Sequence, residues 1–252
     1  PYTCRHGFGY SVFEHKEFGI ASEMWVYVAM DAPVKLCRLV VRNESGISRH
    51  LSLTCYIEPV LGDLRSKTGM HVVTEIDTST GALFSRNPFN TDFPGRIVFL
   101  DANTKINSFT GDRTEFLGKN GSMNRPAALA RETLSNRIGV AMDPCAALQV
   151  RIDLQDGEEG EIIFTCGAGQ NVDDARRLVK RFRGSASART ALEQVWSYWN
   201  HTLGVVHVET EDKALDVLTN GWLLYQTLAC RMWARTGYYQ SSGAYGFRDQ
   251  LQ

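Results

Sequence analysis

The chain has 252 residues, more than one average domain and less than two, so two unequal units are expected. Its 43% hydrophobic and 10% aromatic content, with 22 Gly and 7 Pro, lies in the globular range and excludes disordered, collagenous and low-complexity classes. Lys and Arg number 27 against 28 Asp and Glu, a formal charge of -1, which excludes the global positive field that holds nucleic acid or anionic lipid.

No apolar run reaches the roughly 18 residues that cross a bilayer, and no charged-then-apolar leader is present, so this region is expected to make no membrane contact. The chain opens on Pro1 without Met and stops at Gln252 just after a dense aromatic segment. It reads as an internal piece of a longer protein.

From Ile20 to about Cys166 the apolar residues recur with period two, the mark of half-buried antiparallel strands. The first segment is Val34 to Val41. In the next, Leu51, Leu53, Cys55 and Ile57 form an inward row, and Ser52, Thr54, Tyr56 and Glu58 an outward one. His71 to Ile76, Arg96 to Leu100, Leu148 to Leu154 and Glu161 to Cys166 repeat the pattern. Turn residues at Asn43-Glu44-Ser45-Gly46, Ser79-Thr80-Gly81 and Gln155-Asp156-Gly157 punctuate it. Many punctuated strands without clear helices between them predict an antiparallel β-sandwich.

After Gly169 the period changes to 3.6. Val172, Ala175, Leu178, Val179 and Phe182 share one helical face, with Asp173 and Asp174 where the helix dipole favours anions, and Gly184-Ser185 ends the element. A second helix is predicted from Ala188 to about Leu203. Thr210-Glu211-Asp212 then offers an N-cap to an amphipathic stretch through Leu215, Leu218, Trp222, Tyr225 and Ala229 to about Arg235. The order is β, then α.

Several motifs reduce to local structure. Gly167-Ala168-Gly169 lies between strand and helix but has Val172 at the third fingerprint position and no βαβ unit around it, so it reads as a turn. Gly118-Lys119-Asn120 lacks the spacing and hydroxyl of a phosphate-binding loop. The six His residues form no ligand pair, and no metal site is expected. Cys4, Cys37, Cys55, Cys145, Cys166 and Cys230 have no C-x-x-C spacing and read as reduced core thiols.

From Cys230 to Gln252 the chain is different. Trp233, Tyr238, Tyr239, Tyr245 and Phe247 crowd around Arg231, Arg235, Arg248 and Asp249 with glycines between them. Aromatic rings stack on the C-H faces of a pyranose, and carboxylate or guanidinium groups clamp its hydroxyls. An aromatic corner of a helical barrel with an internal Arg248–Asp249 ion pair has the same composition. The two readings stay open on composition alone.

Asn220-Gly221-Trp222-Leu223-Leu224-Tyr225-Gln226 and Gly243-Ala244-Tyr245-Gly246-Phe247-Arg248-Asp249-Gln250-Leu251-Gln252 resemble the start of the catalytic barrel of family 94 glycoside hydrolases, which are inverting phosphorylases. The resemblance is strongest to the phosphorylase-like region of cyclic β-1,2-glucan synthases and runs through further landmarks. These are Pro1 to Gly7, Ser11 to Glu14, Val73 to Asp77, Ser108 to Arg113, Phe116 to Gly118 and Asp143 to Gln149.

It implies a β-sandwich domain over 1–169, a helical linker over 170–209 and the start of an (α/α)6 barrel over 210–252, with Leu215, Leu218 and Trp222 expected to need barrel partners. A cut near Gly204 is expected to improve solubility. The substrate implied is a β-glucan, with inorganic phosphate as co-substrate and no other cofactor. Asp249 would clamp hydroxyls of the sugar, with Arg248 its neighbour. Cellobiose-acting members carry Arg where this chain has Gly243, which implies a differently linked glucan. The family's general acid lies in a Gly-Asp-Trp-Asn-Asp segment absent from this sequence, so no catalytic residue is assigned here and the chain alone is expected to be inactive.

The implied setting is the cytoplasmic region of a bacterial inner-membrane protein, with a soluble cytoplasmic protein as the alternative and a homodimer left open. A free-standing β-1,2-oligoglucan phosphorylase and a non-catalytic carbohydrate-binding module are the other readings.

Overall fold

The computed structural model of the chain describes residues 2–229. The chain divides into two compact units, 1–194 and 195–252.

In the first unit the strands are β1 (Tyr2–Gly7), β2 (Tyr10–Glu17), β3 (Ile20–Val28), β4 (Val34–Asn43), β5 (Arg49–Ile57), β6 (Val73–Ile76), β7 (Leu83–Arg86), β8 (Ile97–Ala102), β9 (Ser108–Asp112), β10 (Pro144–Leu154) and β11 (Glu159–Gly169). Short helices α1 (Arg65–Thr68) and α2 (Arg113–Leu117) interrupt them, and α3 (Val172–Phe182) and α4 (Ser185–Leu203) follow. An eight-stranded antiparallel sheet has the order β1-β2-β3-β4-β11-β8-β7-β6, and a three-stranded one the order β5-β10-β9.

The predicted inward row holds, because Leu53, Cys55 and Ile57 pack between the two sheets against Leu148, Val150, Leu100 and Phe164. The outward row does not stay in water. The excursion from β9 to β10 folds back over the small sheet and buries Phe116, Leu117, Ala128 and Leu134 against Cys145 and Ala147. Tyr56 stacks on Phe116 with ring centroids 4.5 Å apart. Tyr56, expected on the outward face, is thus drawn against the core because a loop, invisible to period-two patterning, covers it.

The large sheet carries α3 and α4 on its other face. Ala175, Leu178, Val179 and Phe182, with Ala188, Ala191 and Leu192, pack on Tyr27, Leu36, Phe84, Phe99 and Ile163. Tyr27 donates from its hydroxyl to the Ala188 carbonyl at 2.8 Å. The side chain of Asn171 caps α3, accepting from the Asp174 N–H at 2.9 Å. A Cβ on Gly169 would lie 2.4 Å from the Ala175 nitrogen, so this glycine serves the close turn from strand to helix.

The boundaries shift where chemistry outweighs periodicity. α4 begins at Ser185, three residues before its apolar pattern, because the first turn of a helix is ordinarily polar. Gly69–His71 forms a single 3-10 turn, and the strand expected from His71 starts at Val73. β1 and β2 precede the region read as strand. Phe18 and Gly19 join β2 to β3 with φ of +49° and +77°, a two-residue turn of the twist that hairpins favour.

In the second unit, Asp212 caps α5 (Lys213–Val217) through the Ala214 N–H at 2.9 Å. The long amphipathic helix expected here is interrupted. Asn220 and Gly221 leave helical dihedrals before α6 (Leu223–Gln226). The cause is local: the Asn220 amide donates to the Val208 carbonyl and accepts from the Val208 N–H, both at 2.6 Å, as a strand neighbour would.

Leu215, Leu218 and Leu223 stay 43%, 41% and 53% exposed. An apolar stripe of that kind promotes association, so the full chain is expected to self-associate. A cut at Gly204 would strip Tyr225 from Trp199, whose ring it meets edge-on at 4.5 Å. The cut at Gly204 nevertheless keeps α4 whole and removes the stripe, whereas a cut after Gln194, where the first unit ends, would fall inside α4. The shortened chain is expected to elute as a monomer in size-exclusion chromatography with light scattering, and equal association of both forms would refute this account.

Candidate functional site

Arg248 and Asp249, the two residues predicted to bind sugar, lie outside the described residues. The described part of their unit is held together by local bonds. Thr210 donates to Asp216 from both its N–H and its hydroxyl at 2.8 Å, and Lys213 pairs with the same carboxylate at 3.1 Å. With the two Asn220–Val208 bonds, these contacts tie the 204–212 segment to α5 and to the turn after it.

Three of the other landmark motifs, Ser108 to Arg113, Phe116 to Gly118 and Asp143 to Gln149, come together at the small sheet, whereas Pro1 to Gly7 and Ser11 to Glu14 form the far edge of the large one. Gly111 in β9 leaves room for Thr74 of β6, since a Cβ there would lie 2.3 Å from the Thr74 hydroxyl oxygen. The side chain of Asp112 caps α2 by accepting from the Thr114 and Glu115 N–H groups at 3.0 and 3.3 Å. Arg113 donates to Glu58 at 2.8 Å and to Asp143 at 3.2 Å, and Arg65 pairs with the same two carboxylates. Tyr56 adds a hydroxyl bond to Glu58 at 2.6 Å.

Burial alone would raise the Glu58 carboxyl, but the Tyr56 hydroxyl and both guanidinium groups hold it below its usual range. Hydrogen bonds to Glu58 and Asp143 push Arg113 still higher. Two cations and two anions close a neutral ring in which every member is engaged. It fastens the end of β5, α1, α2 and the start of β10, and it offers no acid or base for chemistry. These landmarks are structural.

The Cys55 and Cys166 thiols are equally inert, whereas Cys4 is exposed rather than a core thiol. Burial pushes Cys55 up to about 12 and Cys166 up to about 11, and both stay protonated. Among the described residues, no three His, Cys, Asp or Glu side chains converge as metal ligands.

Sequence reasoning missed two ion pairs that seat α3 on the sandwich. The Arg176 guanidinium donates twice to Asp77, at 2.9 and 2.7 Å. Arg183 grips Asp101 with one bond to each carboxylate oxygen, at 2.9 and 2.7 Å, and reaches the Thr80 carbonyl at 2.6 Å. The signal was present in Ile97-Val98-Phe99-Leu100-Asp101-Ala102, because a carboxylate in the middle of an apolar strand requires a buried cationic partner. Arg176 and Arg183, seven residues and so two turns apart, lie along one edge of the apolar stripe of α3, Arg183 at its C-terminal end.

The family described as glycosyl hydrolase 94, supersandwich domain, matches residues 1–185, and that described as glycosyl hydrolase 94 superfamily, catalytic domain, matches residues 198–252. The cyclic beta-(1,2)-glucan synthase NdvB of Rhizobium meliloti (strain 1021) is 40% identical over 252 residues, all of this chain and 9% of that protein. The N,N'-diacetylchitobiose phosphorylase of Vibrio proteolyticus is 25% identical over 258 residues, and the solabiose phosphorylase of Paenibacillus borealis 25% over 257; each match takes in 100% of this chain and 32% of the relative. The chain thus spans a minor part of each relative's length. With the supersandwich match alone covering well over half of its residues, the chain belongs to glycosyl hydrolase family 94.

Proposed function

We propose that the chain is the phosphorylase-like region of a cyclic β-1,2-glucan synthase, and that its parent shortens or sizes β-1,2-glucan by inverting phosphorolysis. The observation that carries this reading is the 40% identity to the synthase over the whole chain, against 25% to the chitobiose and solabiose phosphorylases over the same length. In the mechanism, one carboxylic acid protonates the glycosidic oxygen while inorganic phosphate attacks the anomeric carbon from the opposite face. Phosphate takes the place of an activated water, so no second carboxylate is required as base.

Asp249 clamps hydroxyls of the glucosyl unit beside the scissile bond, with Arg248 next to it. The acid belongs to a Gly-Asp-Trp-Asn-Asp segment that these 252 residues do not contain. We place the region on the cytoplasmic side of a bacterial inner-membrane protein. No helix among the described residues is long and apolar enough to cross a membrane, which suits that placement.

The test is the release of glucose 1-phosphate from β-1,2-glucan and phosphate. The parent protein is expected to release it and the 252-residue chain alone to release none. Faster release from β-1,3- or β-1,4-glucan would overturn the linkage, and release by the chain alone would overturn the assignment of the acid.

A further inference from the structure

At one end of the sandwich, the segment after β5 and the loop between β7 and β8 enclose a groove of about 550 Å³, inside the range of small-ligand sites. Its floor is held rigidly. The Leu61 carbonyl accepts from the side-chain amides of Asn87 and Asn90 at 3.0 and 3.1 Å. Leu61 itself sits at φ +50°, in the left-handed region that a branched side chain rarely adopts, and the two amides hold it there. The Asn90 side-chain oxygen accepts from the N–H groups of Asp92 and Phe93, both at 3.0 Å, so the loop that presents Phe93 is fixed before any ligand arrives.

The groups left over are those a sugar uses. Phe93 is 59% exposed, and the Arg96 guanidinium carbon stands 5.6 Å from its ring centroid. Among the described residues, neither the Asp92 carboxylate nor the Arg96 guanidinium makes a hydrogen bond or an ion pair. One aromatic surface beside a free acceptor and a free fork of donors matches a pyranose, whose C-H face stacks and whose adjacent hydroxyls pair with charged groups. The composition argues against a protein occupant, since the centre of a protein interface is depleted of charged side chains and this groove holds Asp63, Asp92 and Arg96. It also argues against an anion, because acidic groups line it beside the single arginine.

We propose that this groove binds a glucosyl unit of a β-glucan chain, with Phe93 stacked on the sugar and Asp92 and Arg96 on its hydroxyls. The proposal takes its ligand class from the function proposed above; the site itself stands on the groove. Affinity electrophoresis of the full chain in native gels containing β-1,2-, β-1,3- or β-1,4-glucan tests it, with Phe93→Ala and Arg96→Ala run alongside.

The wild-type chain is expected to be retarded by β-1,2-glucan, and each variant to bind about tenfold more weakly. Both side chains reach solvent, so melting temperatures are expected to stay unchanged. Retardation by β-1,3- or β-1,4-glucan alone, lost in both variants, would keep the groove and remove the β-1,2 linkage from the proposed function. Retardation by no glucan, or equal retardation of wild type and variants, would overturn the groove. So would variants that change only the oligomeric state, which would make this surface a protein interface.

Discussion

Asparagine in place of Asp249 is expected to lower phosphorolysis by the parent enzyme roughly 30- to 1000-fold in kcat/KM while leaving the melting temperature unchanged. A carboxylate that accepts two sugar hydroxyls makes charge-assisted bonds. The amide turns one of those acceptors into a donor facing a hydroxyl pair. Losing such a contact costs about 2–4 kcal/mol in transition-state binding. If Asp249 instead forms an internal ion pair with Arg248, the same substitution lowers the melting temperature and spares kcat/KM. Both quantities measured on one preparation decide between the readings, and a large fall in melting temperature with near-normal activity would remove Asp249 from the site.

Arg183→Met is expected to destabilise the first unit by about 3 kcal/mol, and so to lower its melting temperature by roughly 10 °C. The Asp101 side chain is 0% exposed and depends on Arg183 for both of its charge-assisted bonds. Burial already pushes this carboxyl above its ordinary value, with Arg183 opposing the shift. Without the arginine, the folded-state pKa rises further above the unfolded value of about 3.9. Protonation is then favoured by folding, so the penalty is absent below about pH 4 and grows as pH rises through the folded pKa.

Thermal melts should therefore show the variant furthest below wild type at pH 7 and closest to it in acid. A second substitution, Asp101→Leu, should restore most of the loss, because an apolar pair replaces a buried charge without a partner. Equal destabilisation at all pH values, or no recovery in the double variant, would refute the account.

The sandwich was legible where alternation and turns coincide, as in β4, β5 and β11, and α3 was legible from its apolar stripe and its paired aspartates. The sequence was silent where the determinant is a distant partner. Tyr56 alternates as an outward residue, and only the return of residues 113–134 over the small sheet makes it core. Phe18-Gly19 is a hairpin turn without the usual Asn or Asp, so β2 and β3 carried no local flag. Asn220 breaks a good amphipathic pattern by bonding twelve residues back, which no window of periodicity contains. Arg248 and Asp249 came from a motif, whereas the Asp101 clamp went unread, its one signal being a carboxylate within an apolar strand. Three of the motifs that carried the resemblance, Ser108 to Arg113, Phe116 to Gly118 and Asp143 to Gln149, adjoin the fastener formed by Glu58, Arg113 and Asp143, so a recurring motif can serve the fold and not the chemistry.

The last two strands of the sandwich occupy the middle of both sheets: β10 lies between β5 and β9, and β11 between β4 and β8. During synthesis, then, the small sheet cannot close until Leu154 has been made, nor the large one until Gly169. The four strands from Tyr2 to Asn43 and the three from Val73 to Ala102 wait as separate ribbons with bare inner edges. Pairings of such long sequence separation form slowly, and open edges in nascent chains are where misassembly begins. A polypeptide stalled before Pro144 would thus be the aggregation-prone species of this protein, and a chaperone that holds β4 and β8 apart until β11 arrives would act at the step that decides its yield.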